Sequence, residues 1–509
     1  MKPEEHMRAE HLQALAREAL EMFLLERAET DEEFAFWLDA RLAATLPNKA
    51  SAPLDPESFR RRAEALLSAA GSGRRRRRWD DWDADIDEAT LEELIGAAEP
   101  FLAVGRGADA LAILKPVAGA LADYWPESAH WDETLHEFFP RLDQMIAQAV
   151  LMDGVSQETR DELTDELRGW QDEVAAYGAD DAFSTTIAAC MRGWDDLGLE
   201  DALAGRGQGW PPGGRSDSLE GDLTRARLAA LAGMGRIEAY LNLSRAAGLH
   251  CEHSVKLAQL GRVDEAIATA HQRLATPDDM LRVVQAVAAA GQMDAALDLA
   301  AWGLALQARD ENCDDWRRGA GKVSLARWLR EKAQEASRRD IMLMAARAAF
   351  EESLAREDFR AASRLASAKD WPGLREELLA VLVAAPHAFE RIEILLDEDL
   401  IDEAVACVDP HEARFNPYDD ALERLAEQAY ADHPDWTIAL ACRMADPIMS
   451  EGRSGHYETA AGWLAIAARA HAASGRSEEW HEHLEKLIET HRRKHKLRPL
   501  LEALRYVAD

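Results

Sequence analysis

A chain of 509 residues is far too long for one small core and has the length of about three domains or one long repeat array. Apolar residues make up 47% of it and charged residues 30%, the proportions of a folded soluble protein rather than a disordered or fibrous one. The formal net charge of −35 sets the whole-molecule field against phosphate, which excludes a general polyanion binder but leaves room for a local basic patch.

Ala, Leu, Glu and Arg dominate, all good helix formers, and strict Val/Ile/Thr alternation is nearly absent, so an all-α fold is predicted. The chain opens on a charged amphipathic stretch without the apolar core of a signal peptide. Leu12, Leu15, Ala19, Met22 and Phe23 recur at helical spacing. "TDEE", Thr30 to Glu33, fits a capping box opening a second helix with Phe34, Trp37, Leu38 and Leu42, which Pro47 and Asn48 end. Asp55 is the expected N-cap of the next helix, with Pro56 in its first position.

Residues 71–87, "GSGRRRRRWDDWDADID", set Arg74, Arg75, Arg76, Arg77 and Arg78 against tryptophans and aspartates. Trp79, Trp82 and Ile86 share one helical face. Arg76 and Arg77 then reach Asp80 and Asp81 at i,i+4, each exposed pair worth only tenths of a kcal/mol. "TLEE", Thr90 to Glu93, reads as a capping box for the helix that follows, and Arg60, Arg61 and Arg62 add to the same basic surface. A nucleic-acid arm normally lacks such an acidic complement, so the run reads as a charge-matched helix edge. The alternative is an arginine-rich docking edge for an acidic protein or nucleic acid.

Tyr124, Trp125, Trp131, Phe138 and Phe139 form the densest aromatic region, read as core between helices rather than an interface anchor. "AGRGQGWPPGGRSD", 204–217, cannot continue a helix. It divides the chain into an N-terminal helical region (1–203), a linker or long loop (204–217) and a C-terminal array (218–509).

That array carries a recurring phrase. "LAQLGRVDEAIATAHQRL" (257–274) and "VAAAGQMDAALDLAAWGL" (287–304) align with Gly261 on Gly291, Asp264 on Asp294 and Ala266 on Ala296. Weaker copies stand at 105–114, 235–241 and 475–484, and "LIDEAVACV" (400–408) keeps the pattern without the glycine. The phrase describes a helix ending on a left-handed glycine, an acidic residue opening the next helix, and alanines that let the two pack closely. Repeated hairpins of this kind predict an α-solenoid of degenerate, tetratricopeptide-like repeats.

The last fifty residues include "GRSEEWHEHL" and the basic "THRRKHKLRP", with Arg492, Arg493, Lys494 and Lys496 as a second cationic cluster. They resemble the end of bacterial SWIM zinc-finger proteins and related helical-repeat proteins, where a G-R-x-x-E-W hairpin turn leads into an HRRK helix. Trp79 to Leu114 is similar to that family's mid-region, a Trp-bearing helix before a hairpin. The resemblance implies the helical scaffold alone. A SWIM finger needs C-x-C and C-x-H ligands, and no C-x-C occurs here. "HCEH" (His250, Cys251, His253) splays its side chains on a helix N-terminus and closes no tetrahedral site. His491 and His495 sit at i,i+4 among cations that disfavour a divalent ion, so no metal or cofactor is expected.

Five scattered cysteines make no zinc knuckle or redox pair and suit a reducing cytoplasm. No P-loop, H-E-x-x-H or G-x-S-x-G is present, and no stretch nears the roughly 20 apolar residues that span a bilayer. The sequence is that of a non-catalytic cytoplasmic scaffold that binds a protein partner, or a second copy of itself, on the concave face of its repeats. The alternative is a nucleic-acid-associated protein using Arg74 to Arg78 and the cluster at Arg492, Arg493, Lys494 and Lys496.

Overall fold

A computed structural model describes residues 16–31, 34–35, 37–38, 41–42, 55–74, 88–128, 134–206, 209–210, 219–306, 320–385, 390–410 and 419–507. Every regular element among them is helical. They form two compact units, Met1–Lys256 and Leu257–Asp509.

The first unit closes on itself. Phe59, Ala63 and Leu67 recur at i,i+4,i+8 on the helix Pro56–Arg74 and are buried against Gly107–Ser128. The same core takes in the helices Phe138–Val150, Gln157–Ala175 and Ser184–Arg192. Helix Leu219–Gly233 also packs on Phe138–Val150, through Leu223, Ala226 and Ala230. Packing among the described residues therefore continues across the two sides of the Gly/Pro-rich stretch. Trp210 within that stretch is buried among Leu199, Leu228, Leu231 and Leu243, and its backbone N–H donates to the Ala246 carbonyl at 2.9 Å. The two units part later, inside the helix His250–Gln259.

The second unit is serial. Among the described residues, α-helix-to-α-helix packing there runs chiefly between helices that are consecutive or next-but-one along the chain, from Val263–Arg273 through Pro277–Ala289 and Met293–Gly303 to Ser477–Thr490 and Leu497–Ala503. That pattern is the signature of an α-solenoid.

The recurring phrase has one geometry. After helix His250–Gln259, the Arg262 N–H bonds the Leu257 carbonyl and the Gly261 N–H bonds the Ala258 carbonyl, both at 2.9 Å. With Gly261 at φ 77°, this is a Schellman turn, and the next helix starts two residues after the glycine. The same six-to-one bond runs from Arg106 to Phe101, Arg236 to Leu231, Gln292 to Val287 and Arg476 to His471. It also runs from Arg338 to Ala333 and from Leu400 to Leu395, where no glycine stands. There Ser337 and Asp399 take the left-handed position, each at φ 58°. The phrase at 400–408 thus keeps its turn, and 337–342 is a copy that the residue pattern conceals. Ser337→Gly and Asp399→Gly are each expected to stabilise the protein by about 0.5–1 kcal/mol, because glycine holds this conformation without a Cβ clash. A rise in melting temperature for each variant checks this.

Several caps fall where the sequence places them and others do not. Asp55 accepts from the Glu57 N–H at 3.2 Å and the helix starts at Pro56. Asp31, not Thr30, receives the Phe34 N–H, at 3.0 Å, while the Thr30 hydroxyl turns back to the Glu26 and Arg27 carbonyls of its own helix. Thr90 lies inside the helix Glu88–Gly96 rather than before it.

Candidate interaction surface

Of the arginine run, Arg74 is the last residue of the helix Pro56–Arg74. Arg75, Arg76, Arg77 and Arg78, their aspartate partners, Trp79, Trp82 and Ile86 lie outside the described residues. The nearby basic residues serve the fold: Arg60 bridges Glu64 at 2.8 Å and Asp123 of the helix Gly107–Ser128 at 2.6 Å, and Arg61 reaches Asp55 at 3.6 Å.

The C-terminal cluster, in the second unit, is partly spent in the same way. Arg492 pairs with Glu489. The Lys494 ammonium donates to the Met449 carbonyl, in the last turn of Pro434–Ser450, where a cation also complements the negative end of the helix dipole. Arg493 and Lys496 are exposed. His491 is partly buried, which lowers its pKa, and His495 is exposed. In "HCEH", His253 is buried and its Nδ1 lies 2.9 Å from the Ser244 hydroxyl. Among the described residues no three His, Cys, Asp or Glu side chains are grouped to hold a metal.

The aromatic region is core where it is described. The Trp125 ring meets Phe139 edge-on at 5.3 Å and Phe139 meets Phe183 edge-on at 5.7 Å, while Trp131 lies outside the described residues. Cys190, Cys251, Cys407 and Cys442 are free thiols.

Two ionic assemblies escape a reading of sequence spacing. Arg227 is fully buried; its guanidinium donates to the Gly193 carbonyl at 2.7 Å and Asp196 at 2.6 Å, and packs 5.4 Å from the Trp210 ring. Arg192 completes the group, reaching Asp196 at 2.7 Å and Glu220 at 3.0 Å. Burial alone would raise Asp196, but bonds from Arg192 and Arg227 hold its carboxyl below the usual range.

In the second unit, between Ala320 and Glu398, arginine–carboxylate pairs tie three helices to their next-but-one neighbours and one to the next helix. Asp358 is buried and accepts from Arg327 at 2.7 Å and Arg330 at 2.8 Å, both on Ala320–Glu335, and from the Ser353 hydroxyl at 2.9 Å. Arg356 binds Glu393 at 2.6 Å and Asp397 at 2.7 Å, and Arg360 binds Asp397 at 2.8 Å. Arg347 reaches Glu377 at 3.0 Å, and Arg375 pairs with Glu398. Arg327, Arg330, Arg347, Arg356, Arg360 and Arg375 are thus committed to carboxylates of other helices or their caps.

One apolar surface is uncovered. No residue of the helix Arg17–Thr30 is buried, and Met22, Phe23, Leu24 and Leu25 are 58%, 51%, 42% and 63% exposed.

No protein-family model matches the chain, and neither does any curated protein. Among solved structures it is similar to a circular tandem repeat protein with novel repeat topology and enhanced subunit contact surfaces. The two share 17% identity over 89% of this chain and 99% of that one, with a TM-score of 0.16. A score so low conveys no common arrangement, and the fold rests on the helices described above. No helix among the described residues is long and apolar enough to cross a membrane.

Proposed function

We propose that the protein is a non-catalytic helical-repeat scaffold that binds another protein or a second copy of itself in the cytoplasm. In this reading it is akin to the helical part of bacterial SWIM zinc-finger proteins, without the finger. The observation that supports it most is the serial hairpin packing of residues 257–507, which builds a long side-chain surface from neighbouring helices. The arginine ladder adds to it: with Arg327, Arg330, Arg347, Arg356, Arg360 and Arg375 joined to carboxylates within the array, the acidic excess of the chain is what faces a partner. Capture on the immobilised full chain, with light scattering of the purified protein, tests this reading. A stoichiometric partner or a defined oligomer is expected; a monomer that retains nothing overturns it.

With exposed Arg492 paired to Glu489 and Lys494 bonded to a carbonyl, Arg493 and Lys496 are what the C-terminal cluster still offers, too little charge for stable phosphate binding by a chain of net charge −35. Duplex DNA is expected to show no retention at physiological salt, and Arg493→Gln with Lys496→Gln to change nothing, in a fluorescence-anisotropy titration.

A further inference from the structure

The geometry points to a pH-sensitive latch built on His471 and His483 of the second unit. With both imidazoles neutral it holds the helix Ser477–Thr490 against Pro434–Ser450 and Tyr457–Ala473, and mild acid releases it. Trp480 of Ser477–Thr490 is fully buried, with the His471 ring centre 5.9 Å and the His483 ring centre 6.0 Å from its own. His471 comes from Tyr457–Ala473 and is 8% exposed, and its Nδ1 has no hydrogen-bond partner. His483 is half-buried, with its Nε2 3.9 Å from the Cys442 thiol of Pro434–Ser450. Neither imidazole is bonded to a carboxylate among the described residues, so protonation sets an unpaired charge in a covered site. Attraction of a charged ring to the indole face offsets part of that cost and supplies no counter-ion.

The charges around the two rings leave this balance standing. Arg476 and Glu479 stand near His471, and Asp446 and Lys486 near His483, one cation and one carboxylate for each. Arg476 is itself bound to Asp435 at 2.6 Å. His491, which follows the same helix, lies between Asp446 and Lys494. Burial is the largest influence on all three rings and lowers the pKa of each. His471 and His483 also lie close enough to oppose each other's protonation.

The latch's stability is therefore full above the ordinary imidazole value of about 6.5 and is lost as pH falls through the depressed values. Asp196 and Asp358, held below the usual carboxylate range, stay ionised in mild acid, so the loss is local. Packing favours the same place. Pro434–Ser450 and Tyr457–Ala473 lie against each other along their length, while Ser477–Thr490 meets Tyr457–Ala473 more sparingly.

Native-state hydrogen exchange of the full chain at about pH 7.5 and about pH 5.5, corrected for intrinsic rates, tests this. The helix Ser477–Thr490 is expected to open about tenfold more often at the lower pH, with Arg339–Ser353 and the first unit opening no more than before. His471→Gln with His483→Gln, which cannot be protonated, should abolish that response. An NMR titration of the imidazole carbons in the native protein does not depend on how the variant folds, and should place both rings below about 6.5. No change in opening, equal opening throughout the second unit, a response that persists in the double variant, or either ring titrating at or above the ordinary value overturns the inference.

Discussion

Alanine at Gly107 or Gly233 is expected to cost about 3 kcal/mol, the upper range for forcing volume into a packed site. An added Cβ at Gly107 would stand 2.3 Å from the Ala149 carbonyl oxygen, and one at Gly233 would stand 2.2 Å from that of Leu102. Both obstacles are backbone, so no side chain can swing aside; helices must separate. The two sites lie in the same crossing, since Gly105, two residues before Gly107, approaches the Gly233 carbonyl at 3.2 Å from its own would-be Cβ. Melting temperature should fall by about 6–12 °C for a unit of this size. Gly261→Ala is the control: its Cβ would meet open space, and only the left-handed φ of 77° opposes it, at about 1 kcal/mol. Equal losses at Gly233 and Gly261 would show that backbone conformation, not close approach, governs these glycines.

The second large effect is at Asp358. Asp358→Ala leaves Arg327 and Arg330 facing each other with no carboxylate between them, and breaking a buried ionic group in this way costs about 3–5 kcal/mol. Arg327 is 43% exposed and can turn to water, which places the expected loss at about 3 kcal/mol. The pH dependence has a defined sign. Burial alone would raise the Asp358 carboxyl, but Arg327, Arg330 and Ser353 hold it below the usual range. Its stabilisation is therefore complete above the ordinary carboxylate pKa and is lost as pH falls through the depressed value. Asp358→Asn should be less stable than the native protein at neutral pH, and the gap should close on acidification. A gap constant with pH in thermal melts would remove the carboxylate from the account.

Asp143 shows the opposite case. It is buried and accepts the Thr185 and Thr186 N–H groups at 3.0 and 2.7 Å, capping Ser184–Arg192 from another helix. Burial pushes its carboxyl up to about 6, against the pull of those hydrogen bonds. The folded state then binds the proton more tightly than the unfolded chain, so stability drawn from this group is full below the ordinary value and declines as pH rises toward 6.

The sequence carries the hairpins plainly wherever glycine holds the turn, because Gly261, Gly291 and Gly475 mark a backbone state that other residues avoid. Ser337 and Asp399 hold the same state at some energetic cost, and no residue pattern announces them. Local capping is legible to within a residue: Asp31 and Thr30 are both good caps, and the choice falls to whichever side chain is not drawn back to its own helix. The unit boundary is less legible. Glycines and prolines at 204–217 mark where a helix ends and say nothing of packing, and Trp210 is buried in a core that no spacing announces. The basic clusters are the hardest to read. Partners four residues away can be inferred, but Lys494 spends its charge on a carbonyl 45 residues earlier and Arg327 on an aspartate 31 residues later. Those partners exist only once helices are stacked.

Serial coupling of residues 257–507 through near neighbours is open to native-state hydrogen exchange on the intact Asp358→Ala variant. Faster exchange is expected in the helices that this carboxylate joins and their immediate neighbours, within residues 320–397, with the protection of 420–490 and of the first unit unchanged. Uniform loss of protection across the second unit would contradict it.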